Sequence, residues 1–209
     1  MDHLYEYLTA TVDRSRIVEV REWAAGAARA AADQAGARLW GAWLGALGIG
    51  WYDDELVAVV VRPTSSPAVG AAVLAGVPGG TEAVESVDLV PTARPEGGAP
   101  PPPLAPGGVF AHRWFDVAPE HVEEIVALSA EAWPVFEAAY ETTIHGLFRA
   151  VAPAGRLLLV TRYASVGEWE NSRGVARVTG GDLGAARGNF ERRRSLTGRQ
   201  VVRIAPLIG

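Results

Sequence analysis

Cysteine is absent from the 209 residues. Its absence removes disulfides, thiolate metal sites, iron–sulfur clusters and a cysteine nucleophile in one step, and it fits a reducing compartment. Lysine is missing as well. All 19 basic residues are arginine, which, with the alanine and glycine richness, reads as compositional bias of the encoding genome. Positive charge is in deficit, with a net charge of −5, whereas binding a polyanion needs clustered cations. The one cluster, Arg192 to Arg194, reads as a solvated helix end, and no nucleic-acid partner is expected. Long apolar runs are lacking too. Trp40 to Trp51 is well short of the roughly 20 residues of a spanning helix and is interrupted by four glycines, so no membrane partner is expected. Met1 to Leu8 carries Asp2 and Glu6 in place of a basic leader, so no secretory signal is read and the expected location is cytoplasmic.

What is present is globular. Apolar residues make up 49% and charged residues 21% of the chain, and the length suits one large domain or two short ones. Pro91 to Gly108 reads PTARPEGGAPPPPLAPGG, with four prolines at Pro100 to Pro103. Such a segment cannot donate to a sheet and favours extended polyproline II, so it predicts a spacer over residues 92–108 between repeats at 1–91 and 109–209.

Each half shows the same order of signals. Alternating strands, His3 to Val12 and Val109 to Val117, lead into amphipathic runs. These are Arg16 to Ala35, closed by Gly36, and Glu120 to about Tyr140, opened by Pro119. Gly41-Ala42-Trp43 matches Gly146-Leu147-Phe148. The apolar strands Leu56 to Arg62 and Arg156 to Tyr163 follow, and on this alignment Arg62 and Arg162 are equivalent. Each repeat closes on a short strand stopped by proline, at Pro91 and Pro206. Before that last strand, Val166 to Leu196 offers a full helical segment and Ser66 to Glu85 only a short one. The β-α-β-β-α-β order predicts an α+β fold of two tandem ferredoxin-like repeats. Their antiparallel sheets are expected to pack as a pseudo-dimeric α/β barrel able to hold a ligand.

The second half resembles the NIPSNAP branch of the dimeric α/β-barrel superfamily. The resemblance rests on Arg113 and Phe115 before Pro119, Gly146-Leu147-Phe148-Arg149, Leu159 with Tyr163-Ala164-Ser165 and Glu168, and Phe190 to Pro206. Phe115 stands where the family usually has tyrosine. The resemblance implies the fold and a monomeric pseudo-dimer, with a further homodimer as the alternative. Its wider superfamily contains cofactor-independent monooxygenases, cyclases, isomerases and haem enzymes.

Strand alternation assigns faces. Leu8, Ala10 and Val12 should lie under the helices, which turns Tyr5 and Tyr7 toward the barrel together with Trp40, Ala42 and Leu44. In the second half the matching set is Phe110, His112 and Trp114 with His145, Leu147 and Arg149. Arg162 is preferred to its neighbour Tyr163 as an inward residue. His112, His145, Arg149 and Arg162 are the expected catalytic groups, since imidazole moves protons near neutrality and a guanidinium holds an oxyanion. Tyr5, Tyr7, Trp40, Trp114 and Tyr163 are the expected walls for an aromatic substrate. The expected function is enolate chemistry on an oxygenated aromatic or polyketide-like small molecule, by a cyclase, isomerase or cofactor-independent monooxygenase. The alternative is a non-catalytic binding or protein-interaction module. No cofactor is expected; a metal on His112, His145 and Asp116, which lack HxH or HExxH spacing, and a haem on either histidine are the lesser readings. Gly79-Gly80 and Gly180-Gly181 read as turns, and no G-x-S-x-G elbow is present.

Overall fold

The computed structural model describes residues 3–45, 53–81, 84–95, 102–173 and 181–209. Gly180 and part of the proline run, Pro100 and Pro101, lie outside the described residues. The chain forms two compact units: Met1–Val90 with Gly97–Gly107 and Ile204–Gly209, and Pro91–Glu96 with Gly108–Arg203.

The first unit opens with β1 (His3–Asp13). The Asp13 carboxylate accepts from the Ser15 N–H at 2.8 Å and starts a 3-10 turn that leads into the helices. The amphipathic run expected over Arg16 to Ala35 is two helices, α1 (Ile17–Ala25) and α2 (Ala27–Gln34), parted at Gly26, whose φ of −134° is not helical. Gly36 takes φ +72° and donates to the Asp33 carbonyl, the left-handed cap its position predicted. Then come β2 (Arg38–Leu44), β3 (Asp53–Pro63), the short α3 (Gly70–Leu74) and β4 (Val84–Pro91). The strands lie in the order β2-β3-β1-β4, and β1 is antiparallel to both β3 and β4. Leu8, Ala10 and Val12 pack against Val20, Trp23 and Ala28 of the helices, as alternation predicted. The outer edge of β2 is closed by the tail: the Ile208 N–H donates to the Ala42 carbonyl and the Ala42 N–H to the Gly209 carbonyl, both at 2.7 Å.

The second unit repeats this plan with β5 (Val109–Val117), a 3-10 turn begun by Pro119, α4 (Val122–Ala139), β6 (Thr142–Ala150), β7 (Arg156–Tyr163), α5 (Val166–Ser172), α6 (Gly181–Ser195) and β8 (Thr197–Ala205). Ser165 caps α5, its hydroxyl accepting from the Glu168 N–H at 3.1 Å. The strand order is β6-β7-β5-β8. Position for position this equals the order in the first unit, and it is the ferredoxin-like order. The α+β tandem repeat read from the sequence is therefore the observed fold.

Both second strands carry a β-bulge at the same place. β2 slips against β3 between Leu39 and Gly41, and β6 slips against β7 between Ile144 and Gly146. Trp40 and His145 are the extra residues, and beyond each of them the side-chain alternation reverses. Gly41 and Gly146 follow directly. A Cβ on either would stand 2.7 or 2.6 Å from the ring of the aromatic two residues on, Trp43 or Phe148. The glycine is needed because that ring folds back over its backbone.

The register also corrects the expected equivalence of Arg62 and Arg162. Gly41 pairs with Val59 and Gly146 with Val160, so Val61 corresponds to Arg162 and Arg62 to Tyr163. One residue of offset sends the two arginines to opposite faces of their sheets. Arg62 lies on the helix side, 4% exposed, where it meets Asp88 at 2.7 Å and Glu6 at 3.3 Å.

Candidate functional site

Directly paired residues share a sheet face. In the second unit Phe110 pairs with Arg162, His112 with Val160 and Trp114 with Leu158 on β7, which in turn pair with Thr143, Gly146 and Phe148 on β6. Phe115 meets Arg193 of α6, so Phe115 and its face are the helix side. Phe110, His112, Trp114 and Arg162 therefore occupy the helix-free face. His145, at the bulge, joins them: its ring stacks on Phe110 at 5.6 Å between centroids. The first unit repeats the arrangement, with Trp40 against Tyr5 at 5.5 Å edge to face and Tyr7 on the same side of β1. Tyr5, Tyr7 and Trp40 are all buried.

Two expected site residues are placed elsewhere. Arg149 pairs in register with Leu157 and Phe115 on the helix side, is 47% exposed, and lies 3.5 Å from Glu123. An exposed pair of this kind contributes about 0–1 kcal/mol. The bulge at His145 is the cause, since simple alternation would have put residues 145, 147 and 149 on one side. Tyr163 also faces the helices, on the face of β7 that pairs with Val109, and lies near Ser172 of α5. The preference for Arg162 over Tyr163 as the helix-free residue agrees with the register, although the argument from Arg62 does not. Trp114 is covered in part by Arg156, whose guanidinium carbon lies 4.4 Å from its ring centroid.

The bulge that aims His145 is held by residues the sequence reading passed over. Glu137 of α4 accepts from the Ile144 N–H at 2.7 Å and both its oxygens meet the Arg94 guanidinium at 3.0 Å. Arg94 also donates to the Ile144 carbonyl at 3.2 Å, and its own carbonyl accepts from the Leu147 N–H at 3.3 Å. Arg203 on β8 is the other addition, close enough for its charge to act on His112. In sequence Arg94 lies inside the proline-rich spacer and Arg203 in an unremarkable terminal strand, so neither carried a signal.

Burial sets the protonation of both histidines. His112 is 1% exposed, and desolvation, helped by Arg203, pushes its pKa down to about 3. His145 is pushed down to about 4, mainly by desolvation, with Arg162 and Arg94 adding to the fall and Glu137 opposing it. Both rings are neutral at pH 7. Burial likewise raises the Tyr5 phenol, which stays protonated. Because the folded values lie below the ordinary histidine value of about 6.5, stability from this source is complete above that pH. It is lost as the pH falls through about 4 for His145 and about 3 for His112. Denaturant unfolding between pH 7.5 and 4 should show ΔG falling by up to about 1.4 kcal/mol per pH unit for each buried histidine. His145→Gln should flatten that slope. An unchanged slope in the variant would exclude His145 as its source.

Among the described residues no three His, Asp or Glu side chains gather as metal ligands, and no helix is long and apolar enough to cross a membrane.

The class that this fold defines appears in solved structures aligned with the whole chain. A monooxygenase candidate from Fusobacterium nucleatum subsp. nucleatum aligns over 100% of this chain and 93% of its own, with a TM-score of 0.65 and 10% identity. One from Lactobacillus acidophilus aligns over 100% and 95%, with a TM-score of 0.65 and 9% identity. An anthrone oxidase-like protein covers 100% of this chain and 92% of its own at TM-score 0.60 and 13% identity. A NIPSNAP family protein from Agrobacterium tumefaciens aligns with 49% of this chain and 88% of its own, at TM-score 0.40 and 18% identity. No protein-family model matches the sequence, and no curated protein does. At these identities the likeness is one of fold, and it extends over the whole chain in the first three structures.

Proposed function

We propose that the chain acts on an oxygenated aromatic small molecule on the helix-free face of its second unit, as a cofactor-independent monooxygenase. The observation that carries this reading is the gathering of neutral His145, cationic Arg162 and the flat rings of Phe110 and Trp114 on one face. The anthrone oxidase-like neighbour suggests the kind of substrate and the monooxygenase candidate the kind of reaction, both through likeness of fold. His145 takes a proton from an acidic ring CH2, and Arg162 holds the enolate oxygen. An imidazole whose pKa is near 4 is a weak base on its own. The enolate formed beside it offsets the desolvation that depresses it, so proton uptake and substrate ionisation assist each other. Dioxygen then oxidises the carbanion: one oxygen atom becomes the new ring carbonyl and the other leaves as water, so that CH2 plus O2 gives C=O plus H2O. No outside reductant enters this balance.

The test is oxygen uptake with 1,8-dihydroxyanthrone, corrected for autoxidation. One dioxygen should be consumed per quinone formed, by protein that shows no haem absorption band and carries no stoichiometric metal. His145→Ala and Arg162→Ala should each lower kcat/KM on the order of 100-fold. The low basicity of both histidines, and the cover of Arg156 over Trp114, favour a second reading, a binding module that holds such a ligand without turnover. It predicts saturable quenching of tryptophan fluorescence by the anthrone with oxygen uptake no faster than in buffer.

A further inference from the structure

The helix side of the second unit holds more cationic donors than it has acceptors to meet them. β5 sends Arg113 and Phe115 to that side, and α6 lays Arg193 across them. The Arg193 guanidinium carbon lies 5.4 Å from the Phe115 ring centroid and 5.2 Å from that of Phe190. It donates one N–H to the Ser129 hydroxyl of α4 at 3.2 Å. Tyr163 reaches the same side from β7 and is buried there against Ser172. Arg173, just past α5, stacks on Trp169 at 4.9 Å. Among the described residues no carboxylate stands within ion-pairing distance of Arg113, Arg173 or Arg193, although six other arginines have such a partner.

The arrangement is the reverse of the first unit, whose helix side holds one buried guanidinium met by two carboxylates. Partly buried like charges without a counter-charge are costly. Their effect is mutual: burial lowers both Arg113 and Arg193, the latter to about 10, and each arginine lies in the field of another. A second observation is independent of charge. The indole N–H of Trp169, one turn before Ser172, is buried and has no acceptor, and an orphaned buried donor calls for a missing partner. Both arginines are only partly buried as residues, and a planar guanidinium fork suits two oxygens at once.

We propose that Arg113 and Arg193, with Tyr163 beside them and Arg173 with its Trp169 platform next to Arg113, form a binding site for a small oxyanion bearing a carboxylate or phosphate group. The site lies on the opposite sheet face from His145 and Arg162, so it stands or falls separately from the oxygenation reading. Thermal unfolding in sodium chloride, sodium phosphate and sodium acetate at equal ionic strength tests it. Phosphate, acetate or both should raise Tm above the chloride value, because binding to the folded state alone stabilises it. A rise in phosphate only assigns a phosphoryl ligand, and a rise in acetate a carboxylate. Arg113→Gln and Arg193→Gln should each abolish the rise and weaken calorimetric binding of the effective anion at least tenfold. In chloride, Arg113→Gln should unfold at or above the wild-type temperature because repulsion is relieved, whereas loss of a merely structural arginine would lower it. Should a variant fail to fold, titration of the wild-type chain decides alone: saturable heat with one of the two anions supports the site. A flat response to both anions, or a rise that survives in both variants, overturns it.

Discussion

Arg62→Ala is expected to lower the unfolding free energy by about 3–5 kcal/mol, the scale for stripping the cation from a buried ion pair. The cost falls on Glu6. Its carboxylate is 1% exposed and accepts from the Val69 and Gly70 N–H groups at 2.8 and 3.0 Å and from the Ser86 hydroxyl at 3.1 Å. Arg62 Nε stands 3.3 Å from Glu6 Oε2, too poorly aligned for a hydrogen bond, so what it supplies there is charge. Asp88 also loses its partner, but it is one-third exposed and can be hydrated. Without Arg62 the three neutral donors must hold a full negative charge out of water. Because those donors include the start of α3, the local effect should appear first as faster amide exchange at Val69 and Gly70. Denaturant titration measures the global loss. Glu6→Gln combined with Arg62→Ala should cost at least 1 kcal/mol less than the sum of the single changes, since neighbours in one network are not additive. A single-variant cost below about 1 kcal/mol would mean that the neutral donors suffice.

The repeat was legible in the sequence because its signals are local: alternation in β1 and β5, proline at the start of the α4 region, glycine at Gly36, and proline at the end of β4 and after β8. What was not legible was anything that turns on a single residue of register. Arg62 and Arg162 look equivalent when aligned by composition, yet the pairing of Gly41 with Val59 and Gly146 with Val160 separates them by one place and hence by a sheet face. Arg149 was misplaced for the same reason. The spacer hid a further function. Thr92 and Arg94 read as proline-rich linker, but the Thr92 N–H donates to the Leu147 carbonyl at 2.9 Å and the Arg94 carbonyl accepts from the Leu147 N–H, so this piece pairs along β6. No pattern in the segment announces it, because a few backbone hydrogen bonds leave no side-chain signature. The arginine surplus around Arg113 and Arg193 was equally hidden: Arg193 read as one of three solvated helix-end residues, and only its position over Phe115 shows otherwise.

Gly146→Ala should destabilise the second unit by about 3 kcal/mol, the upper end for forcing an extra methyl into a packed site, and should remove the reactivity assigned to His145. A Cβ there would lie 2.6 Å from two carbons of the Phe148 ring and 3.1 Å from the Arg94 carbonyl. Phe148 is fully buried and cannot swing aside, and the Arg94 carbonyl accepts from the Leu147 N–H, so the methyl must push the bulge itself. Displacing it moves His145 off Phe110 and loosens the Glu137 and Arg94 contacts to Ile144. Gly41→Ala makes the same steric test in the first unit, where the obstruction is Trp43 and the extra residue is Trp40 rather than a histidine. It should cost comparable stability. Because it leaves the β6 bulge and its Glu137 and Arg94 contacts untouched, it should leave the anthrone oxidation rate per folded molecule less affected than Gly146→Ala does. Gly146→Ala with Phe148→Leu should recover stability because the ring that obstructs the methyl is gone. Recovery of the rate as well would show that the bulge, once relieved, still aims His145. Stability regained without rate would mean that Phe148 is itself part of the surface that receives the substrate.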